Sequence, residues 1–172
     1  DIEGHFAEKQ IKTLYEFGIG FEGNEFKPNQ QIKQKEYFAL LVRIVNNYYS
    51  PALSEDMDEE EVENMYKFLV REKIITAGEK DPDAFMRRED AIKYLVRALG
   101  LGEIASLKGI YNYPFKDLDD TNPDLIGHIA LAYGMKIING FDGYFNPKAE
   151  ITRAESAIII YNSFSCCKLN LD

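Results

Sequence analysis

Ile151-Thr152-Arg153-Ala154-Glu155 stands between a turn-rich segment, Asn139-Gly140-Phe141-Asp142-Gly143-Tyr144-Phe145-Asn146-Pro147, and an apolar run, Ala157-Ile158-Ile159-Ile160-Tyr161. The order reads as loop, helix start and buried helix. Thr152 suits an N-cap, because its hydroxyl can accept from the unpaired N–H groups of the first turn, and Glu155 closes a capping box. Arg153 falls at the first helical position. There it is expected to point outward beside free backbone N–H groups and the positive end of the helix dipole, two features that favour an anion at one spot. Arg153 is accordingly the leading candidate binding residue.

Two weaker copies of the pattern lie upstream. Phe145-Asn146-Pro147 precedes the stretch above, and Phe26-Lys27-Pro28 precedes Ile32-Lys33-Gln34-Lys35-Glu36 with the same gap. Asp81-Pro82 precedes Phe85-Met86-Arg87-Arg88-Glu89, with one residue fewer between. This alignment places Glu36, Glu89 and Glu155 at equivalent positions and sets Arg87 opposite Arg153, with Gln34 in the first copy. Helical apolar spacing follows each copy: Phe38, Leu41, Val42 and Val45; Ile92, Leu95, Val96 and Leu99; Ile158, Ile159 and Phe164. The chain thus reads as an interrupted repeat.

The combination of Phe-x-Pro, Ile-Thr-Arg-Ala-Glu and a preceding helix ending in Ile137-Ile138-Asn139-Gly140 resembles the S-layer homology (SLH) module, which commonly occurs as three tandem copies. The third copy carries the resemblance strongly. The first carries it through Asp1-Ile2, His5-Phe6-Ala7, Ile11, Leu14 and Gly18-Ile19, and the second is degenerate. The resemblance implies an all-α fold in which three helix–loop–helix units, over residues 1–50, 54–102 and 115–168, pack as a pseudo-threefold assembly with one shared core. Units of this size would each be marginal alone.

Composition agrees. The 172 residues carry a net charge of −9, which argues against a general nucleic-acid or anionic-membrane surface. No apolar run is long enough to span a bilayer, and no signal peptide is apparent. The chain starts where an SLH repeat normally begins, as a mature fragment or an excised piece would. Cys166 and Cys167 are adjacent and lack the usual disulfide or zinc spacing.

In chain order, residues 5–17 read as an amphipathic helix stopped by Gly18 and Gly20, and a second helix covers residues 34–49, ending before Pro51. The acidic stretch from Glu55 to Glu63 suits a helix start better than a calcium loop, since it lacks the glycine turn. Helices are expected over residues 58–73 and 87–99, with one turn near 103–107. Counted from Asp117, position six is Asn122 and position twelve is His128, a poor EF-hand; Asn122-Pro123 reads instead as a helix cap. His5 and His128 have no triad or metalloprotease context, and no phosphate loop or nucleophile elbow is present. No metal, cofactor or catalytic residue is therefore assigned.

The resemblance implies non-covalent anchoring at the cell surface of mainly Gram-positive bacteria. Inter-repeat grooves would hold acidic, pyruvylated secondary cell-wall polysaccharide linked to peptidoglycan, with the motif arginine on the ligand carboxylate, and the chain would be part of a larger surface protein. Residue by residue this points to Arg153, with Arg87 matching in position only. Thr152 and Gly140 with Asp142 complete that site, and Phe6 stands where the family has tryptophan. The corresponding places in the second and third copies fall at Glu61 and Asp124, so an aromatic sugar platform is expected to be weak there. Chemistry supports the same ligand, because an arginine fork and helix N–H groups together suit a carboxylate. Two other readings stay open. A degenerate fold could serve as a structural or protein-interaction module, and Arg153 could simply pair with an acidic neighbour. An enzyme is the remaining class.

Overall fold

A computed structural model describes residues 1–45, 51 and 53–167, without the side chains of Ser165 and Cys167. The expected end of the second helix, at residues 46–49, lies outside the described residues. The helices are α1 (Glu8–Glu16), α2 (Gln34–Val45), α3 (Glu59–Arg71), α4 (Arg88–Ala98), the short α5 (Gly102–Ala105), α6 (Ile126–Gly134) and α7 (Arg153–Cys167). Among the described residues there is no β-strand, only isolated bridges between loops. The fold is all-α.

Local chemistry accounts for the boundaries. The Asp58 carboxylate accepts from Glu60 N at 2.8 Å, and Glu59, Glu60 and Glu61 fill the first turn of α3, where the helix dipole favours negative charge. The acidic stretch is a helix start. Asn122 accepts from Asp124 N at 3.0 Å with Pro123 beside it, as expected of a cap. Helices α1, α3 and α6 each end on a left-handed residue, Gly18 (φ 71°), Lys73 (φ 58°) or Lys136 (φ 61°). The following isoleucine, Ile19, Ile74 or Ile137, then returns its N–H to Leu14, Leu69 or Ala132 at 2.8–2.9 Å. That is one C-terminal stop used in all three copies.

The centre of the molecule is a closed ring of backbone hydrogen bonds. Ile32 N donates to Ile151 O (3.0 Å), Ile151 N to Met86 O (2.9 Å) and Met86 N to Ile32 O (2.9 Å). All three side chains are buried. The next residues repeat the pattern: Gln34 N, Arg88 N and Arg153 N donate to Ala84 O, Ala149 O and Gln30 O, each at 2.8 Å. Lys35 N, Glu89 N and Ala154 N then donate to Pro82 O, Pro147 O and Pro28 O at 3.0–3.1 Å. Each loop carbonyl pair thereby satisfies the first N–H groups of a neighbouring helix, donors that would cost about 1–3 kcal/mol each if buried and unpaired.

The ring fixes a register different from the one expected. Met86, not Phe85, is equivalent to Ile32 and Ile151, so Arg88, not Arg87, corresponds to Arg153, and Asp90 rather than Glu89 corresponds to Glu36 and Glu155. Three residues then separate Pro82 from Met86, as they do in the other copies. Aligning on Glu89 and the bulky Phe85 causes the slip, yet Phe85 is half exposed and Met86 buried. Arg87 is exposed, and its backbone bridges that of Glu150.

Candidate ligand-binding site

The side chain two positions beyond each ring residue reaches toward the loop of the next unit, and the three cases differ. Arg153 is fully enclosed. Its Nη2 donates to Glu36 Oε1 at 2.6 Å and to Glu55 Oε1 at 2.9 Å, its Nη1 donates to Phe26 O at 3.1 Å, and its guanidinium lies 4.1 Å from the centre of the Phe21 ring. The side chains of Arg153 and Glu36 are only 1 % and 2 % exposed. The first-turn donors of α7 are also taken. Arg153 N and Ala154 N bond Gln30 and Pro28, while Thr152 N donates to Glu155 Oε2 (2.8 Å) and Glu155 N to Thr152 Oγ1 (3.2 Å). The capping box forms, but Arg153 neither points outward nor stands beside free N–H groups. Burial next to two carboxylates makes it a buried ion-pair member.

Gln34, at the same position in the first copy, has no charge to offer. Its Oε1 accepts from Tyr66 Oη (2.5 Å) and Asp81 N (2.8 Å), and its Nε2 donates to Glu79 O (2.9 Å). Cations in this region come instead from α4, where Lys93 (3.0 Å) and Arg97 (2.8 Å) both contact Glu79. Burial would raise the Glu79 pKa, but Thr76 N–H, Lys93 and Arg97 outweigh it and hold the group at about 2.

Arg88 is the open case. It has one carboxylate partner, Glu155 Oε1 at 2.5 Å, and its side chain is 22 % exposed. Arg88 and Glu155 line a cavity of about 290 Å³ together with Asn139, Gly140, Phe141 and Tyr144. Gly140 makes room. It has φ +70°, and a Cβ there would sit 2.4 Å from the Phe115 ring and 2.7 Å from Tyr144 O. Phe141 and Tyr144 exchange backbone hydrogen bonds (2.8 and 2.9 Å) around Asp142 (φ 50°) and Gly143 (φ 82°), a tight primed turn. This turn presents Phe141, 82 % exposed, and half-exposed Tyr144 at the cavity. An aromatic surface therefore exists in the third copy, supplied by the loop rather than by a residue at the position of Phe6.

The Asp117 carboxylate anchors this loop. It accepts from Phe145 N (3.0 Å) and Asn146 N (2.7 Å), and Asp1 does the same for Phe26 N (2.9 Å) and Lys27 N (2.6 Å). Lys116 adds a second tie, donating to Asp142 O at 3.1 Å with its ammonium 5.2 Å from the Tyr144 ring.

Of the residues expected to bind, Gly140 lines the cavity and Thr152 caps α7 beside it, while Asp142 sits at the turn tip with its carbonyl held by Lys116. Arg153, Arg87 and Phe6 are not in the cavity lining; the Phe6 ring, 70 % exposed, lies tilted against His5 with centroids 4.3 Å apart. Sequence reading missed Arg88, Phe141 and Tyr144. The signal that could have found Arg88 was the constant Pro-to-ring spacing of the other two copies.

The S-layer homology domain family matches residues 1–38 and 114–157. Those two segments carry S-layer homology repeats. Two relatives extend the likeness over nearly the whole length: the amylopullulanase of Thermoanaerobacterium thermosulfurigenes is 26 % identical and the exoglucanase XynX of Acetivibrio thermocellus 25 % identical, each across 94 % of this chain. This chain spans only 9 % and 16 % of those proteins. Its likeness is to a small part of each enzyme. No helix among the described residues is long and apolar enough to cross a membrane.

Proposed function

We propose that this S-layer homology chain anchors a larger protein to the cell wall by binding an acidic, pyruvylated secondary cell-wall polysaccharide in the groove between Arg88 and the Asn139–Asn146 loop. Its three units would run over residues 1–50, 54–102 and 115–168. Family membership supports wall anchoring in general; the geometry of Arg88 supports the finer reading. A guanidinium with one carboxylate partner, opening onto a cavity beside exposed aromatic rings, offers a seat for a sugar-borne carboxylate and a face for the sugar ring. The observation that carries the proposal is the contrast between Arg88, partly exposed with one partner, and Arg153, buried with two. The interaction-module reading gains no comparable feature.

The test is co-sedimentation of wild type, Arg88→Ala and Arg87→Ala with cell walls carrying pyruvylated polysaccharide and with walls stripped of it. Wild type and Arg87→Ala should pellet with intact walls only, and Arg88→Ala should stay in solution. Equal pelleting of Arg88→Ala would refute this groove, and pelleting with stripped walls would refute the polysaccharide.

A further inference from the structure

The three equivalent positions differ in one further respect. Arg153 is held by Glu36, the counterpart of the Glu155 that holds Arg88, and additionally by Glu55, for which Arg88 has no counterpart within hydrogen-bond distance. Glu55 is no buried core residue. Its side chain is 43 % exposed, it comes from the segment leading to α3, and Lys27 secures it at 2.8 Å from the outside. The first-copy loop also places Phe21, 4 % exposed, over the guanidinium, whereas the third-copy loop has Asn139 and Gly140 between its isoleucines and its turn and leaves a cavity. An exposed carboxylate reaching in to a buried arginine, with a ring across that arginine's face, matches the two elements the Arg88 groove would take from a carboxylated sugar.

We infer that Glu55 is a resident carboxylate that occupies the anion seat of Arg153, with Phe21 filling the adjoining sugar space, so that the chain engages a single carboxylated sugar through Arg88. The second arginine is retained but blocked from within. The third position is silent because Gln34 is neutral and its amide is already engaged by Tyr66, Asp81 and Glu79. Glu79 fills the cationic pocket of Lys93 and Arg97 in the same manner, so both closed positions contain a glutamate of the chain itself. Charge explains why a carboxylate is used. A guanidinium enclosed beside an aromatic ring needs its positive charge offset, and a carboxylate that the fold holds beside the guanidinium outcompetes a free ligand by effective concentration.

The seat can be emptied and refilled without any sugar. Glu55→Ala should lower Tm by on the order of 5 °C, and sodium acetate should restore part of that loss where sodium chloride at equal ionic strength does not. Unchanged Tm, or equal recovery in both salts, would overturn the resident-carboxylate assignment. The second arm, which rests on the glycan reading, titrates a methyl glycoside of a pyruvylated amino sugar calorimetrically. Wild type should bind one equivalent and Glu55→Ala/Phe21→Gly two. Two equivalents for wild type, or one for a folded double variant, would overturn single occupancy. If wild type binds none while acetate still rescues Glu55→Ala, the glycan proposal fails and the resident carboxylate stands. Should the double variant not fold, the acetate arm on the single variant decides.

Discussion

Arg153 and Arg88 occupy the same place in the hydrogen-bonded ring and carry the same group, yet their surroundings assign them opposite work. Removing Arg153 would leave Glu36, 2 % exposed, without its cation. Arg153→Ala should therefore cost about 3–5 kcal/mol, as expected for breaking a buried ion pair from one side. Urea unfolding at neutral pH measures this, and an unchanged midpoint would show that the pair is not structural. Glu79 supplies a pH signature. Its pKa falls from an ordinary 4.5 to about 2 in the folded chain, so its stabilisation is complete above about pH 4.5 and disappears as pH falls toward 2. Glu79→Gln should flatten the acid limb of the stability curve across that window, and a limb as steep as that of wild type would contradict the assignment. Pairing of Arg153 with an acidic group was an open reading of the sequence, but its partners and its burial were not legible locally. Glu36 and Glu55 lie 117 and 98 residues from Arg153, so its burial depends on chain closure that a pentapeptide cannot encode.

At the scale of elements, the N-termini of α2, α4 and α7 are completed by loops from elsewhere in the chain, and two of those loops are in turn held by single carboxylates, Asp1 and Asp117. Asp117 is 7 % exposed and accepts from two consecutive backbone N–H groups. Asp117→Ala strands both donors at an expected cost of about 3 kcal/mol. Amide hydrogen exchange at Phe145 and Asn146 should accelerate together with loss of ligand affinity, because the Phe141–Tyr144 turn depends on this tether; protected amides in the variant would refute it. Much at this scale could be read in advance. The capping box of Thr152 and Glu155, the acidic start of α3, the Asn122-Pro123 cap and the Gly18 stop follow from side-chain chemistry within four residues. Asp117 entered the sequence reading only as the start of a poor EF-hand, because its hold on the Phe145 amide joins residues 28 positions apart.

For the whole molecule, repetition was readable from the sequence, whereas the register of the second copy was misread although its proline spacing carried it. Apolar periodicity and the three proline turns indicate a helical repeat, whereas the order of hydrogen bonds among Ile32, Met86 and Ile151 is a property of the closed assembly. A shift of one residue moved the expected cation from Arg88 to Arg87. The same closure makes the copies unequal: one arginine is sealed by Glu36 and Glu55, one position holds glutamine, and one arginine borders a cavity. With a net charge of −9, attraction to an acidic polymer must be local to such a groove rather than spread over the surface. The most direct measurement is an NMR titration of arginine-labelled chain with a methyl glycoside of a pyruvylated amino sugar, following the guanidinium resonances of Arg88 and Arg153. A saturable shift at Arg88 with Arg153 unmoved is the predicted result. A shift at Arg153 alone, or at neither, would contradict it.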